Sequence, residues 1–289
     1  MISIDPNGVT TRELYAYLTG AIAPRPIALA STISSDGIPN ISPFSFFNVV
    51  SSNPPLLLFS VANKDGEGHL KDTLNNIIET SEVVINVVNY DMAEQISLSS
   101  ADFSTEINEF EKSGFTPIAS DTIKAFRVFE SPVQIECKIN EVINLGEERG
   151  AGNLILCNIL KIHIKEEILD VDGKIDQHKI DVIGRLGADF YCRTNNSLFE
   201  IERPKSPNVI GFENLPQHIK QSNVLTGNDL AKLAGFEQIP GNDEIKNFSN
   251  QHNIKAFLMQ ATVEDIHAKA KLFLVEKDVS SAWKILLAK

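Results

Sequence analysis

The segment Lys71-Asp72-Thr73, within "EGHLKDTLNNI" at residues 67–77, places an ammonium group, a carboxylate and a hydroxyl where a helix is predicted to begin. The first turn of a helix leaves backbone N–H groups without partners. Asp72 or Thr73 can cap these groups, with Lys71 a solvated charge and His69 a loop residue. Alternatively, Lys71 and Thr73 can bind a phosphate monoester together with the N–H groups. For a short isolated motif the cap is the more common explanation.

The surroundings of this motif predict a strand, a loop, a short helix and a second strand. The apolar run "PPLLLFSVA" and the turn-like "NKDGEG" precede it, and the apolar run "EVVINVV" follows it. Short apolar runs bounded by turn residues are typical of strands.

A second group of candidates lies in "NISPFSFFNVVSSNPP", which includes Ser45, Phe46, Phe47 and Asn48. Aromatic side chains interleaved with hydroxyl and amide groups suit a planar heteroaromatic ring with polar edges. The alternative is a core strand followed by a Ser/Asn turn.

Two arginines lie beside residues that shape the backbone. Arg25 lies between Pro24 and Pro26 in "APRPIALAST", and prolines limit the directions of the chain. "VIGRLGADFYCR" brings Arg185 and Tyr191 together around a glycine loop. The structural alternatives are a Pro-flanked edge turn with a surface arginine and a turn beside a core aromatic residue.

The fold class follows from the order of the elements. The front part is predicted to contain mainly strands, with a hairpin turn in "SSDGIP" at Asp36-Gly37. Mostly sequential strands with few helices favour an antiparallel barrel over a doubly wound sheet. The helical stretches are predicted at about 11–19, 71–80, 91–99 and 105–113.

The chain is predicted to divide into a domain at residues 1–203 and a helical extension at 204–289. The linker is "ERPKSPNVIGF", with Pro204 and Pro207. Beyond it, apolar residues recur at spacings of three and four, which is typical of helices. The predicted helix caps are Thr226, Asn228 and Asn242, and one predicted buried face comprises Leu230, Leu233 and Ala234.

Composition excludes several classes of partner. The chain has 289 residues, 43% of them hydrophobic, and a formal net charge of -12. An acidic surface repels nucleic acid and anionic lipid, so neither is expected as a partner. The first residues lack a secretory signal, and no apolar run approaches the roughly 20 residues of a membrane span. We expect a cytoplasmic protein.

No catalytic side chain or metal site is predicted. Cys137, Cys157 and Cys192 lack CxxC spacing and are expected to be free thiols, and the six histidines lack close i, i+4 pairs. G-x-S-x-G, H-E-x-x-H and Walker motifs are missing, as is the G-x-G-x-x-G of a Rossmann site.

Taken in order, these stretches resemble the flavin reductase-like family, the FMN-binding split barrels. The similarity covers about residues 10 to 200. The stretches that carry it are "APRPIALASTISSDGIPNISPFSFFNVVSSNPPLLLFSV", "KDTLNNIIETSEVVINVV", "NEFEKSGF", "ESPVQIEC", "GNLILCNILKIHI" and "GRLGADFY".

The resemblance implies a Greek-key split β-barrel that forms a homodimer with FMN at the subunit interface. It implies that Lys71 and Thr73 bind the phosphate, with Arg25 as a further candidate. The residues implied to contact the ring or ribityl chain are Ser45, Phe46, Phe47 and Asn48, with backbone from Ser60, Val61 and Ala62. His163 matches a position that can approach the flavin. Arg185 and Tyr191 are implied to come from the partner subunit or to line the nicotinamide side.

The activity implied is two-electron transfer from NADH or NADPH through FMN to a flavin, a ferric chelate or a protein acceptor. Hydride transfer between stacked rings requires no side-chain acid or base, in agreement with the missing catalytic motifs. A non-enzymatic FMN-binding electron carrier, whose extension docks a redox partner, is the alternative. A barrel that has lost flavin and serves only in assembly is a second alternative.

Overall fold

The structure is a computed structural model that describes residues 1–64, 70–101, 103–204 and 207–289, and only the backbone of His252. The loop residue His69 and part of the predicted linker lie outside the described residues. The chain forms two compact units, Met1–Phe199 (unit 1) and Glu200–Lys289 (unit 2). The boundary predicted from the sequence, at 203/204, lies a few residues further along the chain.

Unit 1 is built on a seven-stranded antiparallel sheet in the order β2-β1-β5-β8-β9-β4-β3. Its strands are β1 (Ala28–Ile33), β2 (Pro39–Phe44), β3 (Phe47–Ser52), β4 (Pro55–Ala62), β5 (Glu82–Val87), β8 (Val133–Asn144) and β9 (Gly152–Ile164). Two small antiparallel pairs accompany it, β6 (Pro117–Ile118) with β7 (Arg127–Val128) and β10 (Ile183–Arg185) with β11 (Tyr191–Arg193).

The helices of unit 1 are α1 (Thr11–Ala21), α2 (Asp72–Thr80), α3 (Ala93–Leu98), α4 (Glu109–Ser113) and α5 (Gln177–Ile180). Helix α4 starts later than the predicted 105–113. The side chain of Asn108 accepts a hydrogen bond from Phe110 N and so sets the first turn there.

The predicted hairpin turn at Asp36-Gly37 is confirmed. Strands β1 and β2 pair up to Ile33 and Pro39, and Gly37 between them has φ +87°. That left-handed conformation is open to glycine at no steric cost, because glycine has no Cβ.

The main core of unit 1 lies against one face of the sheet. Leu57, Phe59 and Val61 of β4 are buried in it, since alternate residues of a strand point to the same side. Helix α2 contributes Leu74 and Ile77. The start of α2 is thereby fixed beside the sheet.

Unit 2 is helical, with a hydrophobic core of its own around the buried side chain of Trp283. Its helices are α6 (Gln217–Lys220), α7 (Gly227–Ala234), α8 (Asn242–Ser249), α9 (His252–Gln260), α10 (Val263–Val275) and α11 (Val279–Leu286).

Some of the predictions for the helices of unit 2 are confirmed and others are wrong. The predicted cap Thr226 is confirmed, and Leu230, Leu233 and Ala234 of α7 are buried together as expected. The caps predicted at Asn228 and Asn242 are wrong. Asn228 lies inside α7, and Asn242 follows Gly241, which occupies the cap position because the Glu244 carboxylate accepts a hydrogen bond from Gly241 N.

Across the described residues, no helix has both the length and the apolar character needed to cross a membrane.

Candidate functional site

The start of α2 differs from a capped helix. Lys71 occupies the cap position, and no side chain of the described residues caps the first turn. The carboxylate of Asp72 instead accepts a hydrogen bond of 3.3 Å from the Thr105 hydroxyl. Of the two explanations for the Lys-Asp-Thr motif, the side-chain cap is therefore not the arrangement found.

A polar cavity of about 610 Å³ lies at this helix start. Lys71 and Thr73 both line it, so the structure brings these two predicted residues together. The remaining wall comes from β2, from the segment after β4, from the rest of α2 and from the residues around α4, and includes Asn40, Ser42, Lys64, Asn75, Ser104 and Glu109. The positive end of the helix dipole and a lysine thus border one concave space, which favours an anion.

The hydroxyl of Thr73 is not directed at the cavity as the sequence suggested. Its side chain is 1% exposed, and the Oγ1 hydroxyl donates to Asn40 Oδ1 at 2.9 Å. The amide of Asn40 belongs to β2, which packs against α2. A contact between two elements thus binds the hydroxyl that the family resemblance implied would contact the phosphate. Lys71 and the first-turn backbone remain the donors on the cavity side.

Glu109 is a cavity-lining residue that the sequence analysis did not identify. Its side chain is 8% exposed and borders the cavity, and Oε2 accepts hydrogen bonds from Ile41 N at 2.9 Å and from Asn40 Nδ2. Burial raises the pKa of Glu109 and the Asp72 charge adds to this, whereas the two hydrogen bonds and Lys71 oppose it. The available signal was a glutamate in the first turn of a short helix beside the apolar Phe110.

The aromatic segment meets the end of β4. Ser60 N donates to Phe46 O at 2.9 Å, and the next pair along the ladder is Phe47 with Phe59. Because side chains alternate across a strand, Phe46 and Ser60 point away from the main core, and Phe46 is 48% exposed.

The same alternation corrects one site prediction. Phe47 packs against the main core, as Phe59 does, so its ring is not on the face that carries Phe46. Val61 is fully buried, and its carbonyl oxygen accepts a hydrogen bond from Asn153 Nδ2 at 3.1 Å, so its backbone contact with the flavin stays a prediction. Asn48 is exposed, and its Oδ1 accepts from Val49 N at 2.8 Å.

Two chain segments connect the cavity to the exposed face of Phe46. Ser42 of β2 lines the cavity, and the chain reaches Ser45 and Phe46 within a few residues. Lys64 also lines the cavity, and β4 runs from it back through Ala62 to Ser60. The cavity and the aromatic segment are thus joined by short stretches of chain.

Arg25 has structural partners that the sequence could not show. Its guanidinium is 7% exposed and donates to the carbonyl oxygens of Thr19 (2.6 Å), Ile22 (2.9 Å) and Leu186 (2.9 Å). Desolvation lowers the pKa of Arg25. Arg25 lies outside the cavity lining formed by the described residues. Its predicted part in phosphate binding is corrected accordingly, because its donors hold the chain together.

Arg25 nevertheless connects several predicted residues. Its Nε lies 3.4 Å from Ser45 Oγ, and its Cζ is 6.0 Å from the centre of the Phe46 ring. Its backbone pairs with that of Arg185. The guanidinium of Arg185 lies 4.5 Å from the centre of the Tyr191 ring, a cation–π arrangement. The structure thus groups these residues on the side of the aromatic segment.

His163 lies in a charged cluster instead. Its Nε2 is 2.7 Å from Glu136 Oε1, on the paired strands β8 and β9. Burial alone would raise the pKa of Glu136, but hydrogen bonds from Asp121 N, from Thr122 and from His163 lower it to about 2.

The donor atoms of Asp121, Glu136 and His163 lie within 4.8 Å of one another, close enough to share a cation. Lys161 Nζ is 2.5 Å from Asp121 Oδ2, and Arg127 Nε is 3.8 Å from Glu136 Oε1. These positive groups already balance the carboxylates, so we assign the cluster a structural role.

Comparisons with known proteins identify the family of this chain. The family described as "Flavin reductase like domain" matches residues 20–177. The chain belongs to the flavin reductase-like family. Nitrilotriacetate monooxygenase component B from Bacillus cereus is 33% identical, with a TM-score of 0.64 over 70% of this chain and 98% of its own. The 2-nitrobenzoate 2-nitroreductase NbaA of Pseudomonas fluorescens is 32% identical, with a TM-score of 0.63 over 71% and 98%.

A third structure agrees in fold. A Shewanella frigidimarina protein described as a flavin reductase with a split-barrel domain is 24% identical, with a TM-score of 0.59 over 70% of this chain and 98% of its own. The predicted fold, a mainly β flavin reductase-like split barrel followed by C-terminal helices, is confirmed. A flavin-related redox function follows from the family and its neighbours.

Proposed function

We propose that the protein is an FMN-dependent oxidoreductase. It passes electrons from NADH or NADPH through FMN to a flavin, a ferric chelate or a protein acceptor. The observation that carries this proposal is the start of α2, which has no side-chain cap among the described residues and opens into a polar cavity of about 610 Å³. Such a helix end beside Lys71 suits a phosphate group.

The residues present fit FMN at its phosphate end. Lys71 supplies the positive charge, and the backbone at Asp72 and Thr73 supplies first-turn N–H groups. Ser42 adds a hydroxyl to the same wall. Asp72 has its carboxylate turned to Thr105, which reduces its repulsion of the anion. We leave Arg25 out of this end, because three of its N–H groups donate to carbonyl oxygens and its Nε lies 3.4 Å from Ser45 Oγ.

The flat end of the cofactor would lie on the exposed side of the aromatic segment. Phe46 offers a ring, Asn48 an amide, and Ser60 and Ala62 a strand edge that leads from the cavity. When bound there, FMN supplies the two-electron chemistry. The chain orients the ring and limits water access. Arg185 and Tyr191 would line the nicotinamide side, where the guanidinium can pair with a phosphate of the donor.

A homodimer would complete this site. Strands β4 and β9 are apolar on both faces: Leu57, Phe59, Ile155 and Cys157 are buried in the core. On the opposite face lie the half-buried Leu56, Leu58, Leu154 and Leu156. Strands that are apolar on both sides are typical of sheets covered on both sides. This second face is continuous with Phe46 and Ser60, so a second copy packed there would place FMN at the interface. The free thiols of Cys137, Cys157 and Cys192 suit a cytoplasmic location.

The test is an anaerobic mixing experiment on the purified full chain. We expect the protein to bind added FMN with a shift of its visible spectrum, and NADH or NADPH to bleach that spectrum within seconds. FMN alone with the same nicotinamide is the control. Binding without bleaching would favour the electron carrier, and failure to bind FMN would contradict a flavin-dependent function altogether.

A further inference from the structure

A chain of hydrogen bonds connects a buried carboxylate to the candidate phosphate site. Glu109 Oε2 accepts from Asn40 Nδ2, and Asn40 Oδ1 accepts from Thr73 Oγ1 at 2.9 Å. All three side chains are less than 10% exposed, and all three border the cavity. The direction of each bond is fixed by Glu109, because an ionised carboxylate only accepts.

We propose that Glu109 is a positioning residue that couples phosphate binding in this cavity to the uptake of one proton, with Asn40 and Thr73 transmitting the change. This inference rests on the proposed FMN site. It adds a proton-linked control of affinity to that site.

The ionised state of Glu109 opposes an anion in two ways. Its negative charge lies at the wall of the cavity that would hold the phosphate, where a buried charge is weakly screened. It also keeps Asn40 oriented so that the Thr73 hydroxyl donates to the amide oxygen and not to a ligand.

A proton taken from solvent onto Glu109 reverses both effects. In the structure, the Asn40 oxygen accepts from the hydroxyls of both Thr73 and Thr32. Once the amide turns over, the carboxylic acid can donate to Asn40 Oδ1, and Asn40 Nδ2 faces these two hydroxyls and donates to Thr73 Oγ1. The hydroxyl proton of Thr73 becomes available to the phosphate. No covalent bond is made or broken beyond this protonation.

Other charged groups around Glu109 favour or disfavour its ionisation. From α2 it faces Asp72, which disfavours ionisation, and Lys71, which favours it. Lys64 lines the same cavity after β4. Asp36 and Glu79 line an adjoining cavity of about 210 Å³ that Glu109 also borders.

The part of β2 that contacts Glu109 consists of Asn40 and Ile41, and neither has a titratable side chain. Burial already raises the pKa of Glu109, and a bound phosphate would raise it further. Binding therefore takes up a proton, and affinity rises as pH falls.

The test compares FMN affinity of the wild type and Glu109→Gln between pH 6 and pH 8, measured by quenching of flavin fluorescence. FMN itself titrates in this range, but equally for both proteins. We expect the ratio of wild-type to variant affinity to be at least about threefold higher at pH 6 than at pH 8, within the limit of about tenfold per pH unit for one proton. Glu111→Gln, which removes an exposed carboxylate from the same helix, is the matched control and should retain the wild-type profile.

Two further measurements test the coupling without Glu109→Gln, in case that variant does not fold. Calorimetry of wild-type FMN binding at pH 7–8, in buffers of different ionisation enthalpy, should show proton uptake. Thr73→Val should bind FMN with a shallower pH dependence than the wild type. Tight FMN binding with parallel pH profiles, or without proton uptake, would overturn the coupling and leave the FMN site standing. Failure of the wild type to bind FMN would overturn both.

Discussion

Helices α2 and α10 begin in opposite ways. At the start of α10, Thr262 and Asp265 form a reciprocal capping box: Asp265 N donates to Thr262 Oγ1 at 3.2 Å and Thr262 N to Asp265 Oδ2 at 2.8 Å. At the start of α2, Lys71 provides no cap and Asp72 is bonded to Thr105. At the start of α10, the side chains of the cap and the first turn accept hydrogen bonds from N–H groups of the same segment. At the start of α2, the first-turn N–H groups border a cavity.

Both units carry partly exposed apolar side chains, but those of β4 and β9 in unit 1 share one face of the sheet. Unit 2 encloses Trp283, whose Nε1 donates to Leu233 O at 3.1 Å. In unit 1, β4 and β9 carry leucines on the side away from the core as well, and these are only half-buried. We therefore infer that unit 1 leaves first-turn donors and an apolar sheet face open to a ligand and a second copy, whereas the α10 cap and Trp283 have their hydrogen-bond partners within unit 2.

The largest effect is expected at the second apolar face of unit 1. Leu156→Glu should weaken self-association by about 3–5 kcal/mol, because a dimer would bury an unpaired carboxylate. Sedimentation or light scattering across a concentration series measures this. Leu272→Glu, the same change at a 57% exposed position of unit 2, is the control and should leave the association state unchanged. A monomeric wild type, or a variant that associates as well as the wild type, would contradict the interface.

The next effect is expected at the uncapped helix. Lys71→Ala should weaken FMN binding by about 1.5–3 kcal/mol, because it removes the charge-assisted hydrogen bond that this side chain would make to the phosphate. Titration with FMN, alongside riboflavin as a ligand without phosphate, measures it. Riboflavin affinity should change little, and an unchanged FMN affinity in Lys71→Ala would remove the phosphate assignment.

The smallest effect is expected at the capped helix. Thr262→Ala should destabilise unit 2 by about 1 kcal/mol, because the first turn loses its side-chain acceptor. Denaturant unfolding followed by Trp283 fluorescence reports on this unit, since the chain contains one tryptophan. Thr262→Ser keeps the acceptor and should retain stability. FMN affinity should be the same in all three proteins, and a loss in Thr262→Ala would show that the contrast between the helix ends is false.

Much of the fold was predictable because it depends on local patterns. The turn at Gly37, the strand character of β4 and β9 and the helix α2 follow from residue types and periodicity. Lys71 and Phe46 were candidates because of the residue types beside each of them in the chain, and their contacts with a cofactor stay predictions. Glu109 was missed because its importance depends on Asn40 and Ile41, which are distant in sequence and belong to another element.

The sequence by itself determined the strand and helix pattern, the acidic surface and the residue types that can hold a phosphate and a flat ring. The tertiary structure decided which donors are available. It bonded the guanidinium of Arg25 to carbonyl oxygens, the hydroxyl of Thr73 to Asn40 and the imidazole of His163 to Glu136. The physical reason is that each side chain can donate only a small number of hydrogen bonds. Whether a ligand or the protein receives them depends on neighbours that only folding brings within 3 Å or so.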